Sequence, residues 1–541
     1  MKRPLSLIYL LLLAACDDPL GTWPGDNEQW VGGETGLGVD QDGDGYTVEA
    51  GDCDDFDASV YPEATDGLLT DRSCDGILSS DNLVAAEYGF LGEVENDHAG
   101  RAVASAGDVD GDGLDDILIG AWKNSEGGID AGKAYVVLAS SLLEVSSSSR
   151  ASRKTDLADA DYAFIGQEAG DNAGHSVASA GDVDGDGLDD ILIGVEKDDL
   201  GGDDAGKACV FRGSQLSAKA SFSVGSAAIC ILGESESDKA GRAVSSAGDV
   251  DGDGLADVLV GAYGNDEVGE NAGKIYVFYG SSFGSGLNLA YDFSAADISM
   301  TGEGAGENAG YSVASAGDVD GDGYSDVLIG ATGNDEVADN AGKTYLVFGS
   351  TMNDVESIEL ADSDLSFLGE ASEDYAGRTV AGAGDVDGDS LHDVMIGAWK
   401  NSENATGSGK AYVILGSTLT GAVKINLENA SHSFSGFAEK DYAGTSVAVA
   451  GDVDGDGLSD ALVGAYGTGE GAGSLYVLLG ANLAGASSVD YAFHGENIAD
   501  YAGNSVSYAG DVDGNGRDDL LVGSWAHNGN SGKTYLVLSG L

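Results

Sequence analysis

Residues 107–121 read GDVDGDGLDDILIGA, and this stretch decides how the chain folds. Its first half is a loop of alternating aspartates with glycines at turn positions, and residues 117–121 are a short, branched apolar run typical of a buried strand. The Gly-Asp-Val-Asp-Gly core recurs in copies whose first aspartates are Asp108, Asp182, Asp249, Asp318, Asp385, Asp452 and Asp511. Seven copies at intervals of 59–74 residues, each between similar apolar runs, predict a repeat architecture.

Each copy predicts four strands. One precedes the loop as a Ser-Val-Ala-Ser-Ala-Gly type of run, one is the apolar run at 117–121, a third is Lys133–Val137, and the fourth ends in Phe-Leu-Gly-Glu. Units of about 40–50 residues with four strands are typical of propeller blades. We therefore expect an all-β fold over residues 85–541, a seven-bladed β-propeller of four-stranded antiparallel blades.

The two ends of the repeat region predict how the ring closes. The region begins with a strand-four run at 88–92 and ends with a strand-three run at 534–538. One blade therefore lacks its outer strand, and pairing of the two runs would close the ring and remove an exposed sheet edge. An open superhelical array is the alternative.

The loops predict cation binding. Aspartates at loop positions one, three, five and nine, with a backbone carbonyl at position seven, suit Ca²⁺ better than the smaller, octahedral Mg²⁺. We expect about seven Ca²⁺ sites with the ligands Asp108, Asp110, Asp112 and Asp116; Asp182, Asp184, Asp186 and Asp190; Asp249, Asp251, Asp253 and Asp257; Asp318, Asp320, Asp322 and Asp326; Asp385, Asp387, Asp389 and Asp393; Asp452, Asp454, Asp456 and Asp460; and Asp511, Asp513, Asn515 and Asp519. Ser390 replaces the glycine at position six of the fifth loop and Asn515 removes a charge from the seventh, so both sites should be weaker. The alternative is that the aspartates only cap turns.

The repeat resembles the FG-GAP repeats of integrin α subunits over about residues 85–541. The Asp-x-Asp-x-Asp-Gly-x-x-Asp loop and the following apolar strand that ends in Gly-Ala carry this resemblance. Ala-Gly stands where the family has Phe-Gly, and the family's proline after Gly-Ala is absent. The resemblance implies a calcium-stabilised adhesion or recognition propeller.

The segment after Gly-Ala should lie on the face opposite to the calcium loops. This position holds Trp122, Tyr263, Trp399, Tyr466 and Trp525, with Glu196 and Thr332 in the other two blades. Aromatic rings stack on sugars or anchor protein partners, so we expect a cell-surface protein or polysaccharide ligand on this face, which resembles the ligand-binding face of integrins. The alternative is that the rings pack between blades.

The charge and the histidine pattern of the chain argue against nucleic-acid binding and against several classes of enzyme. The chain has 24 Lys and Arg against 94 Asp and Glu, and a net charge of −70 repels nucleic acid. Its six histidines match no metalloprotease, serine-hydrolase or phosphate-loop motif, and we expect His98 and His175 to be surface residues. We expect a binding protein and not an enzyme. The alternatives are a structural envelope scaffold without a ligand and a polysaccharide-active enzyme, which would need a Tyr/His/Arg cluster in the central cleft.

The N-terminus predicts export and lipidation. Residues 1–15 combine basic residues with an apolar run too short to span a bilayer, as in a signal peptide. Leu13-Ala14-Ala15-Cys16 resembles the lipobox of bacterial lipoproteins, which implies a lipidated Cys16. We expect a flexible tether at 16–38 and a cell-envelope lipoprotein at the outer membrane or cell surface. Asp17 keeps the periplasmic face of the inner membrane open as an alternative.

Residues 39–80 read as a small acidic metal-binding module. Asp40, Asp42 and Asp44 begin a run that resembles the DxDGDGY…GDCDD motif of surface proteins in some Gram-negative bacteria, which implies one more Ca²⁺ site. An acidic spacer without metal is the alternative. The cysteines left after Cys16 suggest two disulfides in an oxidising compartment, Cys53 with Cys74 and Cys209 with Cys230. Two buried thiols are the alternative for the second pair.

Overall fold

The structure is a computed structural model that describes residues 82–143, 153–216, 219–284, 286, 289–353, 355–419, 421, 423–483 and 489–539. All of these residues belong to one compact unit, Glu63–Leu541. Several predictions lie outside the described residues: the signal peptide and tether, the lipidation of Cys16, the module with Asp40, Asp42 and Asp44, and the Cys53–Cys74 disulfide. Every helix within them is too short or too polar to span a bilayer.

The described residues form seven sheets, which are the blades of a β-propeller, as predicted. We number the blades by their innermost strands, strand one: Ala99–Gly107, Ala173–Gly181, Ala243–Gly248, Ala309–Gly317, Ala376–Gly384, Ser446–Gly451 and Ser505–Gly510. Strand two is, in the same order, Asp116–Ala121, Asp190–Val195, Asp257–Ala262, Asp326–Ala331, Asp393–Ala398, Asp460–Ala465 and Asp519–Ser524. Strand three is Lys133–Val137, Lys207–Phe211, Lys274–Phe278, Lys343–Val347, Lys410–Ile414, Ser474–Leu478 and Lys533–Val537. Strand four is Tyr162–Ile165, Ile229–Leu232, Ile298–Thr301, Leu365–Leu368, His432–Ser435, Tyr491–His494 and, for blade 7, Tyr88–Leu91.

Short helices connect these strands. The α-helical segments are Ala139–Leu143, Gly349–Met352, Thr468–Gly471, Gly480–Leu483 and His527–Asn530. The 3₁₀ segments are Leu83–Ala85, Leu157–Asp159, Gly213–Gln215, Val224–Ser226, Gly280–Ser282, Phe293–Ala295, Leu360–Asp362, Gly416–Thr418 and Leu427–Asn429.

The ring closes through the strand that was predicted to close it. Tyr88–Leu91 runs antiparallel to Lys533–Val537, with Tyr88 opposite Leu536 and Leu91 opposite Lys533. The strand from the N-terminal end of the described chain thus completes the last blade.

Five sheets carry a fifth strand that the sequence analysis did not predict. The segment between strands three and four of one blade crosses to the outer edge of the preceding blade and pairs there in parallel with strand four. These strands are Arg153–Asp156, Ala220–Ser223, Leu289–Asp292, Ser357–Glu359 and Lys424–Asn426. The blades therefore have four or five strands, not four throughout. An outer strand lacks a second neighbour and needs no apolar run, so its sequence carries little strand signal.

Two glycine motifs of the repeat explain how closely the blades approach one another. Gly120 belongs to the Gly-Ala at the end of strand two in blade 1, and a Cβ there would stand 2.1 Å from the carbonyl oxygen of Gly174 in blade 2. Gly174 belongs to an Ala-Gly pair and has a φ of +76°. A side chain at either position would push adjacent blades apart.

The hydrophobic core is divided into layers between neighbouring blades. Between blades 1 and 2, the fully buried Leu118 and Val136 pack in one layer with Ile191 and Phe211. Strands two and three are buried along their whole length, which explains their nearly continuous apolar sequence.

Cys209 and Cys230 form a disulfide within blade 2. They face each other across strands three and four, with Cα atoms 4.1 Å apart. The register of these two strands brings the two side chains to the same side of the sheet.

Candidate functional site

The aspartate loops connect strand one to strand two on one face of the propeller, and the first aspartate organises each loop. In blade 1, Asp108 Oδ1 accepts hydrogen bonds from the N–H groups of Gly111 (2.7 Å) and Asp112 (3.1 Å), and its Oδ2 accepts one from Gly113 (2.9 Å). The same three bonds recur in blades 2–6. The loop backbone thus fixes the first carboxylate.

The ninth aspartate is buried beneath the loop. Asp116 has no exposed surface, and its carboxylate accepts hydrogen bonds from the N–H groups of Val109 (3.1 Å) and Ala139 (2.9 Å). Burial raises the pKa of Asp116 to about 8, although these two hydrogen bonds lower it. Burial likewise raises the pKa to about 7 for Asp190, Asp257, Asp326 and Asp460, to about 6 for Asp393 and to about 8 for Asp519.

Carboxylates at positions one, three and nine converge within the loops. Oxygens lie within 4.8 Å of one another in the groups Asp108, Asp110 and Asp116; Asp182, Asp184 and Asp190; Asp249, Asp251 and Asp257; and Asp318, Asp320 and Asp326. Three carboxylates this close repel one another, and carboxylate oxygens are preferred ligands of hard cations. The donor set therefore fits Ca²⁺. The same side chains also cap turns, because the first aspartate accepts hydrogen bonds from the loop N–H groups.

Three loops depart from the common pattern. Ser390 adopts a φ of +71° where other loops have glycine. The Asn515 side chain donates to the Ser539 carbonyl oxygen at 2.8 Å. In blade 2, Arg212 Nε lies 2.9 Å from Asp184 Oδ2, so that loop already holds a protein cation. The arginine follows strand three, away from the loop motif, and was not predicted.

Aromatic residues occupy the opposite face. The five predicted residues Trp122, Tyr263, Trp399, Tyr466 and Trp525 are each partly buried. Four of them belong to an unbroken series of ring contacts, the aromatic arc, which runs through Tyr375, Trp399, Tyr442, Tyr466, Tyr501, Trp525, His98, Trp122 and His175. Tyr263 instead contacts Tyr311, with ring centroids 5.4 Å apart. The rings therefore pack on one another, and all of them except His175 keep part of their surface exposed.

Three tyrosines of the aromatic arc were missed by sequence reasoning. Tyr375, Tyr442 and Tyr501 directly precede Ala-Gly in the last three copies, and their φ angles are +55°, +57° and +58°. The residue before Ala-Gly has a positive φ in every blade, so the backbone of the repeat imposes this conformation on the tyrosines. The recurring Asp-Tyr-Ala-Gly sequence was the available signal.

A second group that was missed surrounds the propeller axis on this face. The residue after each Ala-Gly lies where the innermost strands begin, and we call these residues the axial ring: Arg101, His175, Arg242, Tyr311, Arg378, Thr445 and Asn504. Arg242 donates to the Tyr311 hydroxyl (3.2 Å), and the Arg378 guanidinium carbon lies 5.1 Å from the centroid of the Tyr311 ring. His175 is only 7% exposed. Its expected surface position is therefore wrong, because the blades converge around it.

The axial ring is rich in positive charge. Arg242 Nε lies 3.4 Å from Glu196 Oε2, whereas no carboxylate among the described residues lies within 4.0 Å of Arg101 or Arg378. Burial and repulsion by Arg242 and Arg378 lower the pKa of Arg101 to about 9. Burial raises the pKa of Tyr311, but the three guanidiniums outweigh burial and lower it to about 8.

A cavity of about 890 Å³ opens between the axial ring and the aromatic arc. Its lining includes Arg101, Tyr311, Arg378, Asn504, Trp399, Tyr442, Tyr466, Tyr501 and Trp525. Asn504 Nδ2 is buried and has no hydrogen-bond partner among the described residues. The opposite end of the axis has a cavity of about 610 Å³, whose lining includes Tyr508, His392, Asp115, Asp189 and small residues of strand one.

Three segments of the chain match the FG-GAP repeat family: residues 240–278, 309–347 and 443–478. Each segment covers the aspartate loop and the first three strands of a blade, in blades 3, 4 and 6. The resemblance to FG-GAP repeats is thereby confirmed.

The chain is also similar to integrin α subunits. It is 29% identical to integrin alpha pat-2 of Caenorhabditis briggsae over 272 residues, which are 48% of this chain and 20% of that protein. It is 30% identical to integrin alpha-PS2 of Drosophila melanogaster over 232 residues (41% and 15%), and 31% identical to integrin alpha-V of Gallus gallus over 226 residues (40% and 20%). The chain thus spans a fifth or less of the length of these relatives.

Proposed function

We propose that this FG-GAP, integrin-α-like propeller is a recognition module, which binds a cell-surface polysaccharide or protein on the face opposite to its aspartate loops. The aromatic arc is the single observation that carries this proposal. Contiguous, partly exposed aromatic surface is uncommon on proteins without partners, and rings of this kind bind sugars and anchor protein contacts. Binding, not catalysis, is the role that such a surface supports best.

The aromatic arc can be tested by substitution in the full chain. We expect Trp399→Ala, Tyr466→Ala and Trp525→Ala together to weaken binding to intact cells and to their extracted surface polysaccharide at least ten-fold. Tyr508→Ala is the matched control, because Tyr508 lines the cavity at the opposite end of the axis. Unchanged binding by the folded triple variant would refute the proposal. No binding by folded wild type would favour the structural scaffold.

We further propose that the aspartate loops bind Ca²⁺ and that the ion is structural. Carboxylates at positions one, three and nine would hold the ion, which would relieve their mutual repulsion. Loops of this kind bind with dissociation constants of order 10⁻⁴–10⁻³ M. At ten times that concentration, each site adds about 1.4 kcal/mol to the free energy of unfolding.

Thermal unfolding in Ca²⁺, Mg²⁺ and EGTA tests this proposal. Wild type should melt at higher temperature in Ca²⁺ than in EGTA, and Mg²⁺ should have less effect. Asp318→Asn should reduce the Ca²⁺-dependent increase, whereas Asp362→Asn should not, because Asp362 is exposed and lies outside the loops. Equal melting temperatures of wild type in Ca²⁺ and EGTA would contradict a structural ion.

We also propose that the chain is an exported lipoprotein of the cell envelope, anchored through Cys16. The basic start, the short apolar run and Leu13-Ala14-Ala15-Cys16 support this proposal. Cys16→Ser should move the protein from the membrane fraction to the soluble fraction. Intact-mass measurement of the mature protein should show acylation at Cys16 in the wild type.

Cleavage of an acidic polysaccharide is a second candidate function, favoured by the Tyr/His/Arg cluster of the axial ring. Burial and the neighbouring arginines lower the pKa of His175 well below its usual value, so its imidazole is neutral, with Nδ1 3.5 Å from Arg242 Nη1. Shortening of an acidic polymer that Tyr311→Phe abolishes would establish this function. A polymer of unchanged length after long incubation with folded protein would exclude it for that polymer.

A further inference from the structure

We propose that the central cavity selects acidic saccharides, with a sugar carboxylate or sulfate bound by Arg101 and Arg378 and the sugar rings lying on the aromatic arc. The inference rests on the recognition function proposed above, because it names the ligand class for the same face. Charge, hydrogen-bonding capacity and shape each support it.

The distribution of arginine is the first argument. The chain contains nine arginines and has a net charge of −70, yet three of the nine stand in the axial ring. Their mutual repulsion disfavours this arrangement in the free protein. Folding alone does not account for such a cluster, whereas an anion bound between the guanidiniums would stabilise it.

The second argument is that the buried lysines of the protein are paired with carboxylates. Lys343 Nζ lies 2.6 Å from Glu303 and 2.8 Å from Glu336, and Lys207 Nζ lies 2.5 Å from Asp198. The equivalent residues Lys133, Lys274, Lys410 and Lys533 are also paired with carboxylates. Arg101 and Arg378 lack such a partner among the described residues. We assign this missing counter-ion to an anionic group of the ligand.

The third argument concerns the size and lining of the cavity. A volume of about 890 Å³ exceeds what a small inorganic anion fills and suits several sugar rings. Asn504 Nδ2 supplies an unused donor beside the guanidiniums. The rim carries the exposed Glu439, Lys440 and Glu470, and the buried Asp441 already accepts N–H groups of its own loop. Guanidiniums at the floor disfavour a basic side chain as occupant.

Matched probes test the charge requirement. Trigalacturonate carries a carboxylate on each ring, and its methyl ester keeps the rings but removes the charge. Sulfated and unsulfated dextran form the corresponding pair for sulfate. Quenching of tryptophan fluorescence reports binding directly, because Trp399 and Trp525 line the cavity. We expect at least about ten-fold tighter binding of an acidic probe than of its neutral counterpart, and the probe that binds identifies the anion.

Variants of the full chain in Ca²⁺ test the residues. Arg101→Gln and Arg378→Gln should each weaken binding of the acidic probe at least about ten-fold. Arg517→Gln makes the same charge change in an aspartate loop on the other face and should alter binding less than two-fold. Circular dichroism and melting temperature establish that each variant is folded.

The outcomes separate this inference from the recognition proposal. Equal affinity for acidic and neutral probes, failure of both acidic probes to bind, or unchanged affinity in both arginine variants would overturn the inference. Recognition would still stand if the triple aromatic variant lost binding to cells. If the triple variant bound cells normally, recognition through this face would fall as well.

Discussion

The aspartate at loop position nine holds the loop in place through hydrogen bonds, but its burial disfavours the charged form of its carboxylate. Asp116 is fully buried and ties the loop to the chain leaving strand three through the N–H groups of Val109 and Ala139. Its pKa is nevertheless raised to about 8, so two hydrogen bonds do not compensate for its loss of solvation. Its oxygen lies within 4.8 Å of those of Asp108 and Asp110, and a divalent ion there would supply the remaining stabilisation.

Substitution of Ser390, in the fifth loop, should stabilise the protein. Its φ of +71° is unfavourable for a residue with a Cβ, and the equivalent Gly323 has a φ of +93°. We expect Ser390→Gly to raise the free energy of unfolding by about 1 kcal/mol and to lower the Ca²⁺ concentration needed for protection. Gly323→Ser is the reciprocal control and should destabilise by a similar amount. Urea denaturation measures both, and a destabilised Ser390→Gly would contradict the argument.

The buried carboxylate of Asp374, which lies outside the aspartate loops, should make the free energy of unfolding depend on pH. It is 2% exposed, and burial raises its pKa to about 6, although the hydrogen bonds from Asn401 and Ala371 oppose this shift. The folded state therefore holds the proton more tightly than the unfolded state, where the pKa is 3.8. The resulting stabilisation is complete below pH 3.8 and is lost as the pH rises through 6.

Asp374→Asn removes this titration. Between pH 4 and 7 the wild type should lose up to about 3 kcal/mol more of its free energy of unfolding than the variant does. Other carboxylates titrate in both proteins and cancel in the difference. Parallel stability curves from urea denaturation at several pH values would show that Asp374 is not the source.

Strand three of each blade begins at a buried polar position. Six blades place lysine there: Lys133, Lys207, Lys274, Lys343, Lys410 and Lys533. Each pairs with carboxylates from the neighbouring loops, and five lie about 4–5 Å from the ring centroid of the tyrosine two residues on. Blade 6 has Ser474 instead, whose hydroxyl contacts His494 Nδ1 (2.8 Å) and Thr468 (2.6 Å). The position is polar in every blade because it joins strand three to two loops.

Removal of one such lysine should be strongly destabilising. Lys207 and Asp198 are the most deeply buried of these pairs, with side chains 1% and 5% exposed. Lys207→Met leaves the Asp198 carboxylate buried without its cation, and we expect a loss of about 3–5 kcal/mol. Lys440→Met should change stability by no more than about 0.5 kcal/mol, because Lys440 and Glu439 are exposed. Full stability of Lys207→Met would show that Asp198 finds another partner.

Strand prediction succeeded where burial imposes a pattern and failed where it does not. Strands two and three, such as Asp116–Ala121 and Lys133–Val137, are buried on both faces and read as apolar runs. The fifth strand Ala220–Ser223 alternates between half-buried and exposed residues, and its partner belongs to the preceding blade. Its pairing depends on where the neighbouring blade lies, which a local pattern does not encode.

The candidate site was predictable only in part for a similar reason. The aspartate loops repeat one residue type at fixed spacing, and an aromatic residue follows strand two in five blades, after Gly-Ala in four of them and after Gly-Ser in blade 7. The axial ring instead varies between arginine, histidine, tyrosine, threonine and asparagine, so each copy alone carries no signal. Only the closed ring brings Arg101, Arg378 and Tyr311 to one cavity from distant parts of the sequence.

Closure of the propeller depends on one strand that the polypeptide connects directly to only one blade. Tyr88–Leu91 pairs with Lys533–Val537, but only its C-terminal end continues into a blade. Phe90 is fully buried between blades 7 and 1. Phe367 has the equivalent place in strand four of blade 4 and is equally buried, but its strand continues into a blade on both sides.

Comparison of Phe90→Ala with Phe367→Ala isolates the contribution of closure. Both variants should lose about 3–5 kcal/mol from the free energy of unfolding, because each leaves a cavity of similar size. Only Phe90→Ala should let its strand detach while the rest of the protein stays folded, since the polypeptide connects that strand to a blade at one end only. In Phe90→Ala, native-state hydrogen exchange should show the amides of residues 88–91 exchanging well before those of Lys343–Val347. In Phe367→Ala, the amides of residues 365–368 should exchange together with the rest of their blade. Equal protection of the two strands in the two variants would mean that the closing strand is held as firmly as an internal one.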